Sequence, residues 1–434
     1  MSADYHALLA RREAMRLRDR LLAPAPGAAR AARGSRTPAP RPAARRSCAY
    51  DGAADQEVIT RNLVHVTPFD RLIAHLYEVM FERHPYLRKL FPDSMEFQRV
   101  HLERALWYLI ENLHRPEEVA DFCTRLGRGH RKLGVLPVHH RVFEEALADA
   151  LHRSAGGRLG VDVEQAWLRM VRFATTAMAE GADEALAEPA YWSGTVVDHQ
   201  RRRPDLAVLR VRPAEPYPYR PGQYATLETP LLPHTWRPYT PAGLPGAGGE
   251  LEFHVRRTGP GGVSDALVTG TGVGDTVRLG PAQGTTTLDD GVPRDVLIVA
   301  GGTGWATARA LVEDMAERRG PGRTVHLFLG ARTVDDLYDA PALTRLEGRC
   351  PWLRVIPVID DGPGLSGHAP VTEALAAHGD FSGHTAYVSG PPGLVTAAVR
   401  RLAGLGLPAD RIRHDPVAAG APAPPALPST GMSA

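Results

Sequence analysis

The residues Val296-Leu-Ile-Val-Ala-Gly-Gly-Thr-Gly304 indicate the fold class of the C-terminal part of this chain. Its apolar run predicts a strand that is buried on both faces, as in a parallel sheet covered by helices. The glycines that follow let the backbone approach a phosphate closely, and a helix N-terminus behind them favours negative charge. The stretch therefore predicts a doubly wound α/β domain that binds a nucleotide.

The same pattern continues from 294 to 415. Apolar strands alternate with helical segments, which we predict over 304–318, 340–347 and 370–377. A second loop, Tyr387-Val-Ser-Gly-Pro-Pro-Gly393, follows the last strand. Because ligands bind at the carboxyl edge of such sheets, we expect both loops to contact one nucleotide. The predicted contacts are Gly301, Gly302, Thr303, Gly304, Ser389, Gly390 and Pro391.

The choice between NADH and NADPH stays open. Arg332 follows the strand that ends at Gly330 and is a candidate partner for the 2′-phosphate of NADPH. The alternative is that Arg332 is an ordinary surface arginine. We therefore write the nucleotide as NAD(P)H.

Residues 193–286 alternate apolar and polar side chains in short runs separated by turns, which predicts a small antiparallel β-barrel. The motif Arg237-Pro-Tyr-Thr240 offers a flavin an aromatic face, a hydroxyl and a cation, and Arg237 and Tyr239 point to one face of a strand. Downstream, Gly261-Gly-Val-Ser264 opens a predicted helix whose backbone N–H groups and cap hydroxyl suit a pyrophosphate. The predicted FAD contacts are Arg237, Tyr239, Thr240, Gly261, Gly262 and Ser264.

These motifs together resemble the ferredoxin–NADP reductase-like superfamily over about 193–415. The resemblance implies hydride transfer from NAD(P)H to FAD at the junction of the two domains. The chain departs from the family pattern at three positions. Ser389 replaces the family's Cys, Thr307 stands where Pro is common, and Val417 stands where a Phe shields the flavin.

Residues 55–187 read as all helix, because apolar residues recur at spacings of three and four and prolines separate the segments. The segment Leu126-Gly-Arg-Gly-His130 ends one helix, and Pro137 opens the next. A histidine placed in this way is able to hold a haem iron, although a single helical histidine is more often structural.

The neighbouring residues resemble the globin domain of flavohaemoglobins and bacterial haemoglobins. Tyr77 matches the distal tyrosine, Phe91 the phenylalanine that packs on the haem, and Gln98 the distal glutamine, with Leu102 one turn further. The resemblance implies haem b with His130 as the iron ligand, and Tyr77 and Gln98 as donors to bound oxygen. The proximal side departs: His140 replaces a Tyr, Ala182 replaces a Glu, and Gly129 precedes His130.

The composition excludes several other classes of protein. The net charge of +2 gives no drive toward nucleic acid. We expect no membrane span, since the chain has no apolar run of 18 residues, and a cytoplasmic location, since it shows no secretion signal. Its cysteines, Cys48, Cys123 and Cys350, are too few and too scattered for an iron–sulfur cluster.

The chain thus divides into five predicted parts: a disordered basic tail over 1–53, a globin over 54–188, an FAD domain over 189–290, an NAD(P) domain over 291–415 and a disordered tail over 416–434. Residues 11–46 hold 11 arginines against Glu13 and Asp19, a charge of 11 − 2 = +9. Disorder is the prediction for such a segment. The alternative is a short helix over 3–22 with a linker that contacts an anionic lipid or nucleic acid.

The order of the domains resembles that of a flavohaemoglobin. The resemblance implies electron flow from NAD(P)H through FAD to a haem that binds O2, with nitric oxide oxidised to nitrate. Two alternatives remain open. The first is a reductase for an external electron acceptor, with the globin as a docking or sensing module. The second is an oxygen or redox sensor that controls a partner through the basic tail.

Overall fold

The computed structural model describes residues 50–244, 248–289, 295–318, 324–359 and 369–415. The predictions for residues 1–49, for Val417 and for the rest of 416–434 lie outside these ranges.

The first part consists of helices only, as predicted. They are α1 (Gly52–Asn62), α2 (Phe69–Arg83), α3 (Glu96–Asn112), α4 (Pro116–His130), α5 (Pro137–Ala155) and α6 (Val161–Glu184), with short 3-10 turns at Leu63–His65, Pro85–Leu90 and Arg131–Leu133. Pro116 and Pro137 are the first residues of α4 and α5, where the missing proline N–H costs no helical hydrogen bond. The core is apolar and fully buried around Leu76, Leu147 and Trp167.

Two glycines set the contact between α4 and α6. A Cβ at Gly127 would lie 1.9 Å from the carbonyl oxygen of Met178, and a Cβ at Gly181 would lie 2.1 Å from that of Thr124. Only glycine therefore allows the two backbones to approach this closely. This contact places the end of α4, and with it His130, against the rest of the domain.

The second part is a nearly closed antiparallel barrel, as predicted. Its strands are β1 (Trp192–Arg203), β2 (Leu206–Pro213), β3 (Ala225–Glu228), β4 (Arg237–Tyr239), β5 (Leu251–Arg256) and β6 (Thr276–Leu279), in the order β4-β3-β6-β1-β2-β5. A bridge between Pro241 and Phe253 brings the end of β4 to β5. One short helix, α7 (Val263–Asp265), continues into a wide helical turn at Ala266–Gly270 and covers the barrel core with Leu267.

The third part is a five-stranded parallel sheet, as predicted. Its strands are β7 (Val296–Gly301), β8 (Val325–Ala331), β9 (Leu353–Ile359), β10 (Thr385–Ser389) and β11 (Ile412–Arg413), in the order β11-β10-β7-β8-β9. Its helices are α8 (Trp305–Glu317), α9 (Ala340–Arg349), α10 (Ala369–His378) and α11 (Pro392–Gly404). The strand order reverses between β7 and β10, which is where such sheets bind ligands. The predicted nucleotide loops are the ones that follow these two strands.

Candidate functional site

His130 is the last residue of α4, and its ring is oriented by its own helix. Its Nδ1 lies 2.7 Å from the carbonyl oxygen of Leu126. Because a carbonyl only accepts, Nδ1 carries the proton and Nε2 keeps a free lone pair. Burial, with His140 and Lys132 nearby, lowers the pKa of His130, so that the ring is neutral. A neutral imidazole with a free Nε2 is the form that binds iron.

Tyr77 on α2 is buried, with 7% of its surface exposed. The edge of Phe91 meets its ring at a centroid distance of 5.7 Å, and Phe81 packs beside both. Burial raises the pKa of Tyr77, so its phenol stays protonated. Among the hydrogen bonds between described residues, none engages this hydroxyl, which therefore keeps its proton available for a ligand.

Gln98 on α3 carries another unused polar group in this domain. Its Oε1 is buried, and it has no hydrogen-bond partner among the residues that the structure describes. Buried amide oxygens are rarely left without a partner. Leu102, one turn further along α3, packs on the apolar core. The lone pair of His130 and the unused groups of Tyr77 and Gln98 fit a haem with a small polar ligand.

The flavin motif lies on β4, where Arg237 pairs with Leu227 and Tyr239 with Ala225 on the neighbouring strand. Arg237 and Tyr239 alternate with Pro238 and so face one side, as predicted. The Arg237 guanidinium lies 4.0 Å from the ring centroid of Phe97. Phe97 is the α3 residue next to Gln98, so the flavin motif and the distal helix of the globin are in contact.

The glycines of the predicted flavin-phosphate loop leave its backbone open to a ligand. Gly261 has a φ of +73°, and a Cβ at Gly261 or Gly262 would meet nothing within 4 Å, which leaves open space for a phosphate. Two predicted donors are engaged inside the protein, however. The Ser264 hydroxyl bonds to Thr258, and the Gly261 N–H donates to Asp265 at 2.8 Å. A phosphate that used the Gly261 N–H would have to displace Asp265, whereas Ser264 stabilises the loop through Thr258.

The two nucleotide loops are in direct contact. A Cβ at Gly304 would lie 2.4 Å from the carbonyl oxygen of Ser389, and one at Gly390 would lie 2.9 Å from that of Gly301. The Ser389 hydroxyl donates to the Gly304 carbonyl at 2.9 Å. The glycines thus allow both loops to form one cradle at the N-terminus of α8, which fits a pyrophosphate.

Arg332 extends from the loop after β8. Its side chain is 71% exposed, and it lies 3.9 Å from Asp336. Asp336 is buried and already bound by Arg203 and Arg256, each at 2.8 Å. Arg332 is therefore only loosely held and remains a candidate for a 2′-phosphate.

A buried ionic network joins the barrel to the parallel-sheet domain. The Glu252 carboxylate on β5 accepts from Arg309 on α8 at 2.6 Å and contacts His254 at 3.0 Å. The other nitrogen of His254 lies 2.8 Å from the Tyr338 hydroxyl. Burial alone would raise the pKa of Glu252, but His254, Arg309 and Arg210 outweigh burial and lower it to about 2. The network fixes the two domains that carry the flavin motif and the nucleotide loops.

Three further residues at these sites belong to none of the sequence motifs. Lys132 and Trp236 meet between the globin and the barrel, with the ammonium 4.8 Å from the ring centroid. Asp415, two residues before Val417, accepts from the Thr285 N–H at 3.1 Å, and burial raises its pKa. Proximity to His130, Arg237 and Val417 is the only sequence signal that marks them.

Three family profiles match the chain, one in each part. They are the globin over 74–178, the oxidoreductase FAD-binding domain over 194–287 and the oxidoreductase NAD-binding domain over 298–400. In the described ranges, no helix has both the length and the apolar character needed to cross a bilayer.

Known proteins resemble the chain in two ways. The ferredoxin–NAD(P)+ reductase component of the naphthalene 1,2-dioxygenase/salicylate 5-hydroxylase systems of a Ralstonia species is 34% identical over 238 residues, covering 54% of this chain and 71% of that protein. The phenol 2-monooxygenase reductase component DmpP of a Pseudomonas species is 32% identical over 205 residues, covering 46% and 58%. A flavohaemoglobin from Malassezia yamatoensis, solved with FAD and haem, superposes with a TM-score of 0.67 at 17% identity, covering 83% of this chain and 98% of that one.

The chain belongs to the family of NAD(P)-linked flavin reductases that these reductase components represent, and it is an NAD(P)H-dependent FAD oxidoreductase. A globin precedes this module. The whole is therefore a globin–reductase fusion with the architecture of a flavohaemoglobin, and its cofactors are haem, FAD and NAD(P)H.

Proposed function

We propose that this protein transfers electrons from NAD(P)H through FAD to a globin haem, and that it uses them with O2 to oxidise nitric oxide to nitrate. The observation that carries the proposal is the distal pair. Tyr77 and Gln98 offer unused polar groups in the same domain in which His130 presents a free Nε2. One NAD(P)H supplies two electrons, so two nitric oxide and two O2 molecules give two nitrate ions, NAD(P)+ and one proton.

The protein's own residues hold and shield the reactants. Bound FAD supplies hydride acceptance and bound haem supplies oxygen chemistry, while the protein provides orientation and electrostatics. The Leu126 carbonyl keeps the His130 ring in one tautomer. Tyr77 keeps its proton and is able to donate it in a hydrogen bond to a bound ligand. The unused atom of Gln98 is Oε1, which accepts, and the donor of this side chain would be its NH2 group. Phe91 and Leu102 pack on the core and exclude water from that side.

At the reductase end, two contacting loops place the nicotinamide nucleotide. The cradle of Gly301 to Gly304 and Ser389 to Pro391 supplies backbone N–H groups and a helix N-terminus. We propose that Arg237, Tyr239 and Thr240 hold FAD beside this cradle, with Gly261, Gly262 and Ser264 forming its phosphate loop. We also propose a cytoplasmic location, where NAD(P)H is available.

A second candidate function is a reductase that serves an external electron acceptor. The names of the relatives favour it, because they are reductase components of oxygenase systems. His140 and Ala182 on the proximal side favour it as well.

The deciding experiment is an anaerobic absorption spectrum of the purified protein before and after NADH and then NADPH. Our proposal expects a haem Soret band that moves to its ferrous position soon after the flavin bleaches, followed by nitric oxide consumption once O2 is added. Tyr77→Phe is expected to release O2 faster, whereas Tyr86→Phe at an exposed site leaves that rate unchanged. A flavin that bleaches while the haem stays ferric supports the external-acceptor reductase instead.

A further inference from the structure

We propose that Lys132 is a positioning residue that locks the proximal end of the globin onto the FAD barrel. This contact fixes the position of the end of α4, with His130, relative to the FAD barrel. This inference rests on the proposed function, because a fixed docking of the two sites matters only if electrons cross between them.

Lys132 lies two residues after His130, in the short turn Arg131–Leu133. Its ammonium donates a hydrogen bond to the Thr226 hydroxyl on β3. The same ammonium lies 4.8 Å from the ring centroid of Trp236, which is itself 8% exposed. A cation over a largely buried indole is more strongly attracted than one at an exposed ring, because less water screens it. Lys132 therefore makes two attractive contacts with the barrel.

The barrel is shaped to receive this side chain. Gly280 follows β6, and a Cβ there would lie 2.3 Å from the Thr226 hydroxyl and 3.1 Å from both Cδ and Nζ of Lys132. A larger residue at position 280 would thus displace the Lys132 side chain from its contacts with the barrel. The Tyr217 hydroxyl donates to the Gly280 carbonyl at 2.7 Å and holds that backbone in place. The barrel residues around the Lys132 ammonium are therefore Thr226, Trp236 and Gly280.

The residue before Lys132 makes a second attachment. Arg131 donates to the carbonyl oxygens of Ala185 and Glu188 at 2.6 and 2.9 Å. Both carbonyls belong to the connection between α6 and β1. The turn after His130 is therefore tied to the connection by Arg131 and to the barrel by Lys132.

These attachments act on the side of the globin where the chain departs from the family pattern. His140 and Ala182 stand where the resemblance places a Tyr and a Glu that brace the proximal histidine. In this chain the turn after α4 is held by Arg131, which binds the connection after α6, and by Lys132, which binds the barrel. Lys132 therefore acts through His130 and the docking of the two domains, and not on substrate or cofactor.

The test is Lys132→Met in the full-length protein loaded with haem and FAD. Methionine keeps the length and the apolar stem but removes the charge and the donor. Anaerobic stopped-flow spectroscopy with NADH reads flavin bleaching and haem reduction separately. We expect flavin bleaching to stay within about twofold of the parent protein, while haem reduction slows roughly tenfold, the change that a loss of about 1.4 kcal/mol in docking produces.

Hydrogen–deuterium exchange provides a readout that is independent of turnover. We expect faster exchange in Lys132→Met over 131–136 and 276–284. Thr226→Val, which removes only the acceptor hydroxyl, is expected to change both readouts in the same direction by a smaller factor. Arg128→Met is the matched control, because Arg128 is an exposed cation on α4. It is expected to leave both readouts unchanged.

The outcomes separate this inference from the proposed function. If the parent protein never reduces its haem, the proposed function fails. The exchange data alone then test whether Lys132 holds the globin against the barrel. Unchanged exchange in Lys132→Met overturns the lock whatever the kinetics show. Faster exchange with unchanged haem reduction, in a parent protein that does reduce its haem, overturns the positioning role.

Discussion

Glu252 is a residue whose change we expect to destabilise the reductase half. It lies on β5 and its side chain is only 15% exposed. Arg309 of the neighbouring domain lies 2.6 Å away, His254 3.0 Å and Arg210 3.1 Å. Glu252→Gln keeps the shape and removes the charge, so it mimics the protonated carboxyl at every pH.

The size of the effect follows from the pKa of Glu252. These partners lower it from 4.5 to about 2. A shift of this size corresponds to roughly 3 kcal/mol of folding free energy at neutral pH. We therefore expect Glu252→Gln to lower the free energy of unfolding of the reductase part by roughly that amount, read from urea denaturation followed by flavin fluorescence.

The pH dependence carries a definite sign. Because the folded pKa lies below the unfolded one, the stabilisation is fully present above about pH 5 and is lost as the pH falls from there toward 2. The difference in the free energy of unfolding between the parent protein and Glu252→Gln is thus expected to be roughly a quarter smaller at pH 4 than at neutral pH.

A neighbouring glutamate provides the control for Glu252→Gln. Glu250 pairs with Arg212, which is 57% exposed, and exposed pairs contribute little. Glu250→Gln is therefore expected to cost less than about 1 kcal/mol. Equal costs for the two variants, or a stability difference that widens on acidification, would contradict the role assigned to the Glu252 carboxylate.

Three further changes test other parts of the molecule. His130→Ala is expected to abolish the Soret band and leave FAD bound, whereas the exposed His114→Ala keeps both; a haem-loaded His130→Ala protein would contradict the iron assignment. Arg332→Ala is expected to raise KM for NADPH and leave KM for NADH unchanged; equal effects on both would make Arg332 an ordinary surface residue. Burial lowers the pKa of His326 and His384. The charged or titratable groups that face them are His378, Asp295, Asp380 and Arg354. The two neutral rings therefore contribute fully to the stability of the fold above about pH 6.5, and this contribution is lost as the pH falls below that value. His384→Phe is accordingly expected to flatten the loss of stability between pH 7 and 5 in thermal unfolding, and an unchanged slope would remove His384 as the cause.

Local patterns were enough to predict the three folds. The apolar run from Val296 is buried at every residue of β7, and the glycines after it allow the contact between Gly304 and Ser389. Periodicity predicts such elements because each strand or helix must bury its own apolar face. The short β4 was predictable for another reason, since its residues form a recognisable motif.

Contacts between distant residues were not predictable in the same way. Lys132 lies 94 positions from Thr226 in the chain, and no periodicity links a turn lysine to a barrel hydroxyl. Asp265 follows a predicted phosphate loop, yet only the fold shows that it accepts from the Gly261 N–H. Such contacts depend on how complete domains meet and on which donors are already used.

The hydrogen bond on the proximal side of His130 bears on which oxygen chemistry a bound haem would support. The Nδ1 of His130 donates to the neutral Leu126 carbonyl, which makes the imidazole a weaker electron donor than a carboxylate partner would. Chemistry that splits the O–O bond of bound oxygen gains from a strongly donating proximal ligand. Oxidation of nitric oxide by O2 depends less on the electron-donating strength of the proximal ligand. This reaction requires a reduced haem and a bound ligand that is held by donors on the distal side. Under the proposed function Tyr77 and Gln98 would be those donors, so the departures at His140 and Ala182 weigh against cleavage of the O–O bond more heavily than against nitrate formation.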